Sequence, residues 1–249
     1  MAEQTIVGIH AVRAVLQRHP ERISHLWLDS ARNDRRLGEI SELASGMGIP
    51  LQRIDRADMD RKAGAGLRHQ GVVATIVAGP ELSDSGLPAL LRSLPEDALV
   101  LVLDGVQDPQ NLGACLRAAD AAGASAVVFP KDRAAPVNAA ARKAASGAAE
   151  TLPWVRVTNL ARALDQLKEE GFWIIGATGD ADSDLYQCKF SRRSAIVLGA
   201  EGSGLRRLTR DHCDTLISIP MAGAVESLNV AAAAAVILFE AVRQRRTAT

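Results

Sequence analysis

A chain of 249 residues has room for one large domain or two ordinary ones, and 47% hydrophobic content suits a packed core, not a disordered tail. Its 29 basic and 29 acidic residues cancel, so no bulk charge draws it to nucleic acid, and any RNA contact has to be local. Aromatics at 3% supply few stacking platforms, and Cys115, Cys188 and Cys213 stand too far apart for a metal knuckle.

Reduced cytosolic thiols and no metal are therefore expected. The opening MAEQTIVGIH lacks the basic segment and apolar core of a signal peptide. The longest apolar run, 230–239, is too short to cross a bilayer. A cytoplasmic protein with no membrane association is the expectation.

In chain order, Ile9, Val12, Val15 and Leu16 form an apolar stripe that predicts a helix over 8–18. A strand over 24–28, a helix over 37–47 and a β-branched strand over 72–77 follow. These make a small α/β domain over 1–78. The Gly-, Pro-, Ser- and acid-rich stretch 79–97 reads as a linker with one short helix at 87–94.

From 98 to 249 strands alternate with helices. Strands are predicted at 99–103, 127–129, 173–177, 196–198 and 215–219, with helices at 112–122, 138–149, 160–170 and 229–244. The continuous apolar run at 99–103 fits a strand covered on both faces, hence a mostly parallel α/β sheet.

Three strand-to-helix edges carry the chemistry, because such edges gather ligand-binding groups at the carboxyl ends of strands. In LVLDGVQDPQNLGACLRAADAAG (101–123), Asp108 or Asn111 can cap the helix that Pro109 opens. Arg117 falls opposite the stripe Leu112, Cys115, Leu116 and Ala119, beside Gly113 and Asp120, and reaches solvent or a partner. LGAEGSGLRRLT (198–209) puts three glycines within six residues, but in neither the GxGxxG nor the P-loop order. Its Glu201 can accept from an arginine or a ribose hydroxyl. Arg206, Arg207 and Arg210 either contact phosphates or form a solvated helix face. In ISIPMAGAVESLNVAAA (217–233), Ser227 can cap a helix whose first turn holds Asn229. That helix is apolar nearly all round over 230–239, so it lies in one chain's core or at a homodimer interface.

Taken together and in this order, the three segments resemble the motifs of the SpoU/TrmH (SPOUT) class of RNA ribose 2'-O-methyltransferases. VGIHAVRAVL (7–16), HQGVVA (69–74) and KDRAAPVNAAARKAASGAAE (131–150) extend the resemblance over almost the whole chain. They are similar to the branch that methylates a guanosine in the peptidyl-transferase P loop of 23S rRNA during ribosome maturation.

The resemblance implies a SPOUT catalytic domain with a C-terminal trefoil knot, a homodimer formed through that domain, and an L30e-like RNA-binding domain before it. It implies S-adenosylmethionine as cofactor, held at Gly199, Ala200, Ile219, Met221 and Leu228. It implies catalytic roles for Asn111, Arg117, Glu201, Ser227 and Asn229, with Glu201 holding Arg117. Glu226 departs from the pattern, placing an acid where many relatives carry a smaller residue. RNA affinity is assigned to the N-terminal unit, whose basic side chains include Arg13, Arg18, Arg32, Arg35 and Arg36 and whose histidines are His10, His19, His25 and His69. Three rival readings stand beside this one. They are a nicotinamide oxidoreductase, which the missing GxGxxG disfavours, a tRNA or other rRNA ribose methyltransferase, and a non-catalytic ribosome-assembly factor.

Overall fold

The structure is a computed structural model that describes residues 3–64, 67–77, 79 and 81–247. The domain boundary expected at 78 lies outside the described residues. The chain forms two compact units, Met1–Pro80 with Ser146–Thr151, and Glu81–Ala145 with Leu152–Thr249.

The first unit is built from β1 (Glu3–Val7), α1 (Ile9–Arg18), β2 (Ile23–Asp29), α2 (Arg35–Gly46), β3 (Leu51–Ile54), α3 (Arg56–Ala63) and β4 (Val72–Val77). Its sheet has the order β1-β4-β2-β3, with only β2 and β3 parallel. The stripe Ile9, Val12, Val15 and Leu16 packs with Leu37 and Ile40 of α2 on Leu26, Leu28, Ala74 and Ile76, as its spacing predicts. The opposite face is covered by α3 through Met59 and Ala63. The sequence reading missed α3 because it has too few apolar positions to show a period. In HQGVVA, Gln70 and Gly71 form a turn that leads into β4. Gln70 adopts φ 52°, and its Oε1 accepts from the Ile9 N–H at 3.2 Å, closing the start of α1.

In the second unit, β5 (Glu81–Ser83), α4 (Leu87–Ser93), β6 (Leu99–Asp104), α5 (Pro109–Ala121), β7 (Ala126–Pro130) and α6 (Ala139–Ala145) come first. The turn α7 (Ala148–Thr151), grouped with the first unit, precedes β8 (Trp154–Val157), α8 (Leu160–Glu169), β9 (Trp173–Ala177), β10 (Ser194–Gly199), α9 (Arg207–Asp211), β11 (Thr215–Ile217) and α10 (Val230–Thr247). The seven strands are all parallel, in the order β11-β9-β10-β6-β7-β8-β5. One face buries Val100, Val102, Val128, Val155 and Val197 under α4 and α8. The other carries α5 and α10. Coverage of both faces explains why the strands read as unbroken apolar runs.

Two expectations need correction. The stretch read as a linker is ordered. Glu81–Ser83 pairs with Trp154–Arg156 at the sheet edge, and Leu87 and Leu91 anchor α4 in the core. Three residues are too few for a strand to announce itself by alternation. The single helix predicted over 138–149 is broken, because Ser146 (φ 51°) and Gly147 (φ 102°) leave the helical region between α6 and α7. A Cβ on Gly147 would stand 2.7 Å from Ala14 Cβ of α1, so only glycine fits there.

Candidate functional site

From β6 the chain steps outward through β7 and β8, crosses to β9, and then lays β10 between β9 and β6. This reversal makes a switch point at the carboxyl ends of β6 and β10, where open sheets bind ligands. Four loops converge there, following β6, β9, β10 and β11. They enclose a cavity of about 730 Å³ and a neighbour of about 320 Å³.

The five residues expected to hold a cofactor, Gly199, Ala200, Ile219, Met221 and Leu228, all line the larger cavity. Glu201, Glu226, Ser227 and Asn229 line it too, whereas Asn111 lines the smaller one. Ala200, Glu201, Ser203 and Val230 form the wall shared by the two cavities.

On that wall three of the expected polar residues meet. Asn111 Nδ2 donates to Glu201 Oε1 at 3.0 Å, Asn229 Nδ2 donates to the same oxygen at 2.7 Å, and Asn229 Nδ2 also lies 2.9 Å from Asn111 Oδ1. One carboxylate oxygen thus ties the loop after β10 to the starts of α5 and α10. Backbone capping sets both asparagines. Asp108, not Asn111, caps α5, its carboxylate accepting from the N–H groups of Gln110 and Asn111. Asn229, not the expected Ser227, caps α10, its Oδ1 accepting from Ala231 N at 2.9 Å. Ser227 is exposed on the cavity wall.

Arg117 is not part of this cluster. It is exposed on α5, less than two turns or about 9 Å of helix rise beyond Asn111, and Glu201 holds the asparagines in its place. Gly113, expected on the same open side, is buried. A Cβ there would lie 2.2 Å from Ala141 O, so α5 and α6 touch through it. The last helix is likewise less enclosed than its composition implies, with Ile237, Leu238 and Ala241 buried but Phe239 48% exposed.

The arginines after β10 have internal partners. Arg206 donates through its backbone N (3.0 Å) and Nε (2.5 Å) to Asp104, whose side chain is wholly buried at the end of β6. Arg210 grips both oxygens of Asp180 at 3.0 and 2.8 Å. The Thr178 hydroxyl and Arg210 hold the Asp180 carboxyl below the usual carboxylate range. Arg207 is exposed and reaches only Asp211 of its own helix. The sequence reading missed Asp104, Thr178 and Asp180. The signal was present in two places: a lone acid ending LVLVLD, and ATGD as a fourth strand edge.

Between β10 and Leu205 the loop closes on itself through reciprocal Ala200–Gly204 backbone hydrogen bonds of 3.1 and 2.9 Å. Gly202 (φ 81°) and Gly204 (φ 64°) make the turn. Beneath the site, burial pushes the Cys115 thiol up to about 12, with Glu201 adding to the shift, and Cys213 up to about 12 as well. The Cys188 thiol is raised by its own burial. All three should therefore resist alkylation at pH 8 in the native protein and react at once in denaturant. A rapidly reacting native thiol in an Ellman assay would contradict this. Among the described residues, no group of three or more His, Cys, Asp or Glu is placed to hold a metal ion.

Among the described residues, Arg210, already paired, is the only basic side chain on the large cavity, which Asp180, Glu201 and Glu226 also line. Such a lining is ill suited to a polyphosphate and well suited to a cationic nucleoside. Fold and site thus define an open α/β enzyme that takes a small cofactor at the switch point. The chain belongs to the SpoU rRNA Methylase family, whose model matches residues 98–239. Residues 5–81 match a second model, RNA 2'-O ribose methyltransferase substrate binding.

It is 52% identical over 242 residues to the 23S rRNA (guanosine-2'-O-)-methyltransferase RlmB of Escherichia coli (strain K12), spanning 97% of this chain and 99% of that protein. The enzyme of the same name from Vibrio vulnificus is also 52% identical, over 98% of both chains. Among solved structures, the SpoU methyltransferase AviRb from Streptomyces viridochromogenes, in complex with AdoMet, superposes with a TM-score of 0.75 at 27% identity. That match covers 98% of this chain and 91% of AviRb.

Proposed function

We propose that this protein transfers a methyl group from S-adenosylmethionine to the ribose 2'-hydroxyl of a guanosine in 23S rRNA, in the peptidyl-transferase P loop. The observation that carries this is the Asn111–Glu201–Asn229 cluster on the wall shared by two cavities. A cofactor in the larger and a ribose in the smaller would meet across it. The full-length match to curated 23S rRNA guanosine methyltransferases supports the substrate.

Gly199, Ala200, Ile219, Met221 and Leu228 would hold the cofactor, and Asp180, Glu201 and Glu226 give its cavity an acidic balance. When bound, the cofactor supplies an already activated methyl on a sulfonium. The chain's own part is then to position the ribose and accommodate the hydroxyl proton. Glu201 and the two asparagines fix the wall on which the acceptor rests, and Ser227 offers the cavity a hydroxyl.

A guanidinium holds its proton too firmly to serve as a base, so Arg117 would orient the 2'-hydroxyl or its adjacent phosphate. Because Arg117 is exposed and distant from the cluster of its own chain, the proposal includes a homodimer through this unit. The exposed Phe239 side of α10 is available for that contact. A trefoil-knotted C-terminal segment and action on cytoplasmic pre-ribosomes belong to the same proposal. Among the described residues no helix is long and apolar enough to cross a membrane.

The deciding experiment is methyl transfer from labelled S-adenosylmethionine to unmodified 23S rRNA, with mapping of the product. One ribose-methylated guanosine in the P loop is expected. In Arg117→Ala, turnover should fall about 100-fold while cofactor affinity is kept. Near-normal turnover of the variant would remove Arg117 from the mechanism, and methylation of tRNA alone would move the substrate.

A further inference from the structure

Residues 1–80 contain a single Phe, Tyr or Trp, namely Trp27, and the fold does not bury it in the main core of its unit. Instead Trp27 stands on the second face of the sheet, at the margin of the small cluster under α3. Just before it the strand carries a β-bulge. Ile23 pairs with Ile76 and His25 with Thr75, so one extra residue, Ser24, is accommodated. The extra residue lets Ile23 and Leu26 both point into the core, although strict alternation would put them on opposite faces. His25, next to inward-facing Leu26, shares the open face with Trp27 by ordinary alternation, and its ring stacks with Trp27 at 5.7 Å between centroids and 10° between planes. Lys62 of α3 places its ammonium 3.8 Å from the centre of the indole.

Next to this stack the sheet face is left open by the described residues. Thr5, Thr75 and His25 form one row across three strands, and Thr5 and His25 are exposed. An exposed aromatic leaf, a cation and a row of hydroxyls are the groups by which proteins hold unpaired bases. The arginines that the sequence offered for this task are largely engaged. Arg13 and Arg35 share Glu39, and Arg32 pairs with Asp34.

We propose that the open sheet face bearing His25, Trp27 and Lys62 binds single-stranded RNA, with an unpaired base stacked on His25 and a neighbouring phosphate drawn to Lys62. This rests on the reading of the chain as an RNA methyltransferase and extends it to a second RNA contact in the substrate-binding unit. Stacking that tolerates any base would give affinity and leave the choice of nucleotide to the catalytic unit.

The test compares full-length protein with His25→Ala, His25→Phe and Lys62→Gln. RNA affinity is read by fluorescence anisotropy on a 23S fragment spanning the P loop, and kcat and KM are measured separately. His25→Ala should weaken RNA binding about 5- to 100-fold and raise KM, with kcat at saturating RNA and cofactor affinity unchanged. His25→Phe should restore affinity, which a merely structural role for the imidazole would not predict, and Lys62→Gln should flatten the salt dependence. Wild-type affinity in both His25→Ala and Lys62→Gln would overturn the proposal while leaving methyl transfer, and so the function, intact. Tight binding that is lost in His25→Ala, in a protein that transfers no methyl group, would uphold the platform and reject the methyltransferase reading. A wild-type protein that binds no RNA would reject both.

Discussion

Gly199→Ala should weaken cofactor binding about 5- to 150-fold while leaving the protein folded. The backbone of Gly199 is not in the left-handed region, so the penalty is one of space alone. A Cβ there would stand 2.1 Å from the Gly204 carbonyl carbon, 2.2 Å from its oxygen and 2.4 Å from Leu205 N. These are backbone atoms of a loop closed by the Ala200–Gly204 pair, so they cannot swing aside as a side chain can. The loop must open, and with it goes the wall on which Ala200 and Glu201 are mounted. The strand beneath is unaffected, because Ala195 to Leu198 keep their partners on β6 and β9. Gly202→Ala makes the contrast. Nothing lies within 4 Å of its Cβ position, and only the left-handed backbone (φ 81°) costs about 1–2 kcal/mol. Calorimetric titration with S-adenosylmethionine distinguishes the two. Near-normal affinity in Gly199→Ala would mean that the closed loop is not what the cofactor requires.

Arg206→Ala should be the most destabilising single change at the site, and more harmful than Asp104→Asn. Asp104 has no exposed side-chain surface, whereas Arg206 keeps 46% of its own. Removing the arginine leaves a buried carboxylate with the backbone N–H of residue 206 as its remaining partner from this pair. Breaking a fully buried pair costs about 3–5 kcal/mol. The water already reaching Arg206 lowers this to about 2–3 kcal/mol. Asp104→Asn removes the charge together with its counter-charge problem and can still accept from the same N–H, so about 1 kcal/mol is expected. For a chain of this size the arginine variant should lose about 4–12 °C in Tm by scanning calorimetry. Equal losses in the two variants would show that the burial of Asp104 does not govern the effect.

Much of this molecule can be read from its residues where a long period or a strand edge is present. The stripe of α1, the apolar runs of β6 and β10 and the convergence of three glycine-punctuated edges all follow from spacing. The five cofactor positions, carried over from the family resemblance, all line one cavity. What escaped were features set by pairing over long distances. Three-residue β5 exists because β8 offers it an edge, and the break at Ser146–Gly147 exists because α1 approaches there. Within one chain Glu201 takes Asn111 and Asn229 as its partners for the same reason. Helix geometry put Arg117 near the right strand end, but only the assembled loops show that Asn111 and Asn229 reach the carboxylate first. The solvated-face reading of Arg206 and Arg210 failed because their acids, Asp104 and Asp180, lie far away along the chain.

The position of β10 also governs how the sheet can be assembled. Among the described residues it is the one strand joining the four strands β6-β7-β8-β5 to the pair β9 and β11. A nascent chain that has reached only Arg193 therefore holds the four strands β6-β7-β8-β5 and a lone β9, with bare edges at β6 and β9. Ser194 then has to find Leu99 across nearly the whole catalytic unit, a non-local closure of the kind that slows folding and exposes unpaired edges to aggregation. The strand that completes the switch point is thus the one whose arrival joins a sticky partial sheet to the stray strand beside it.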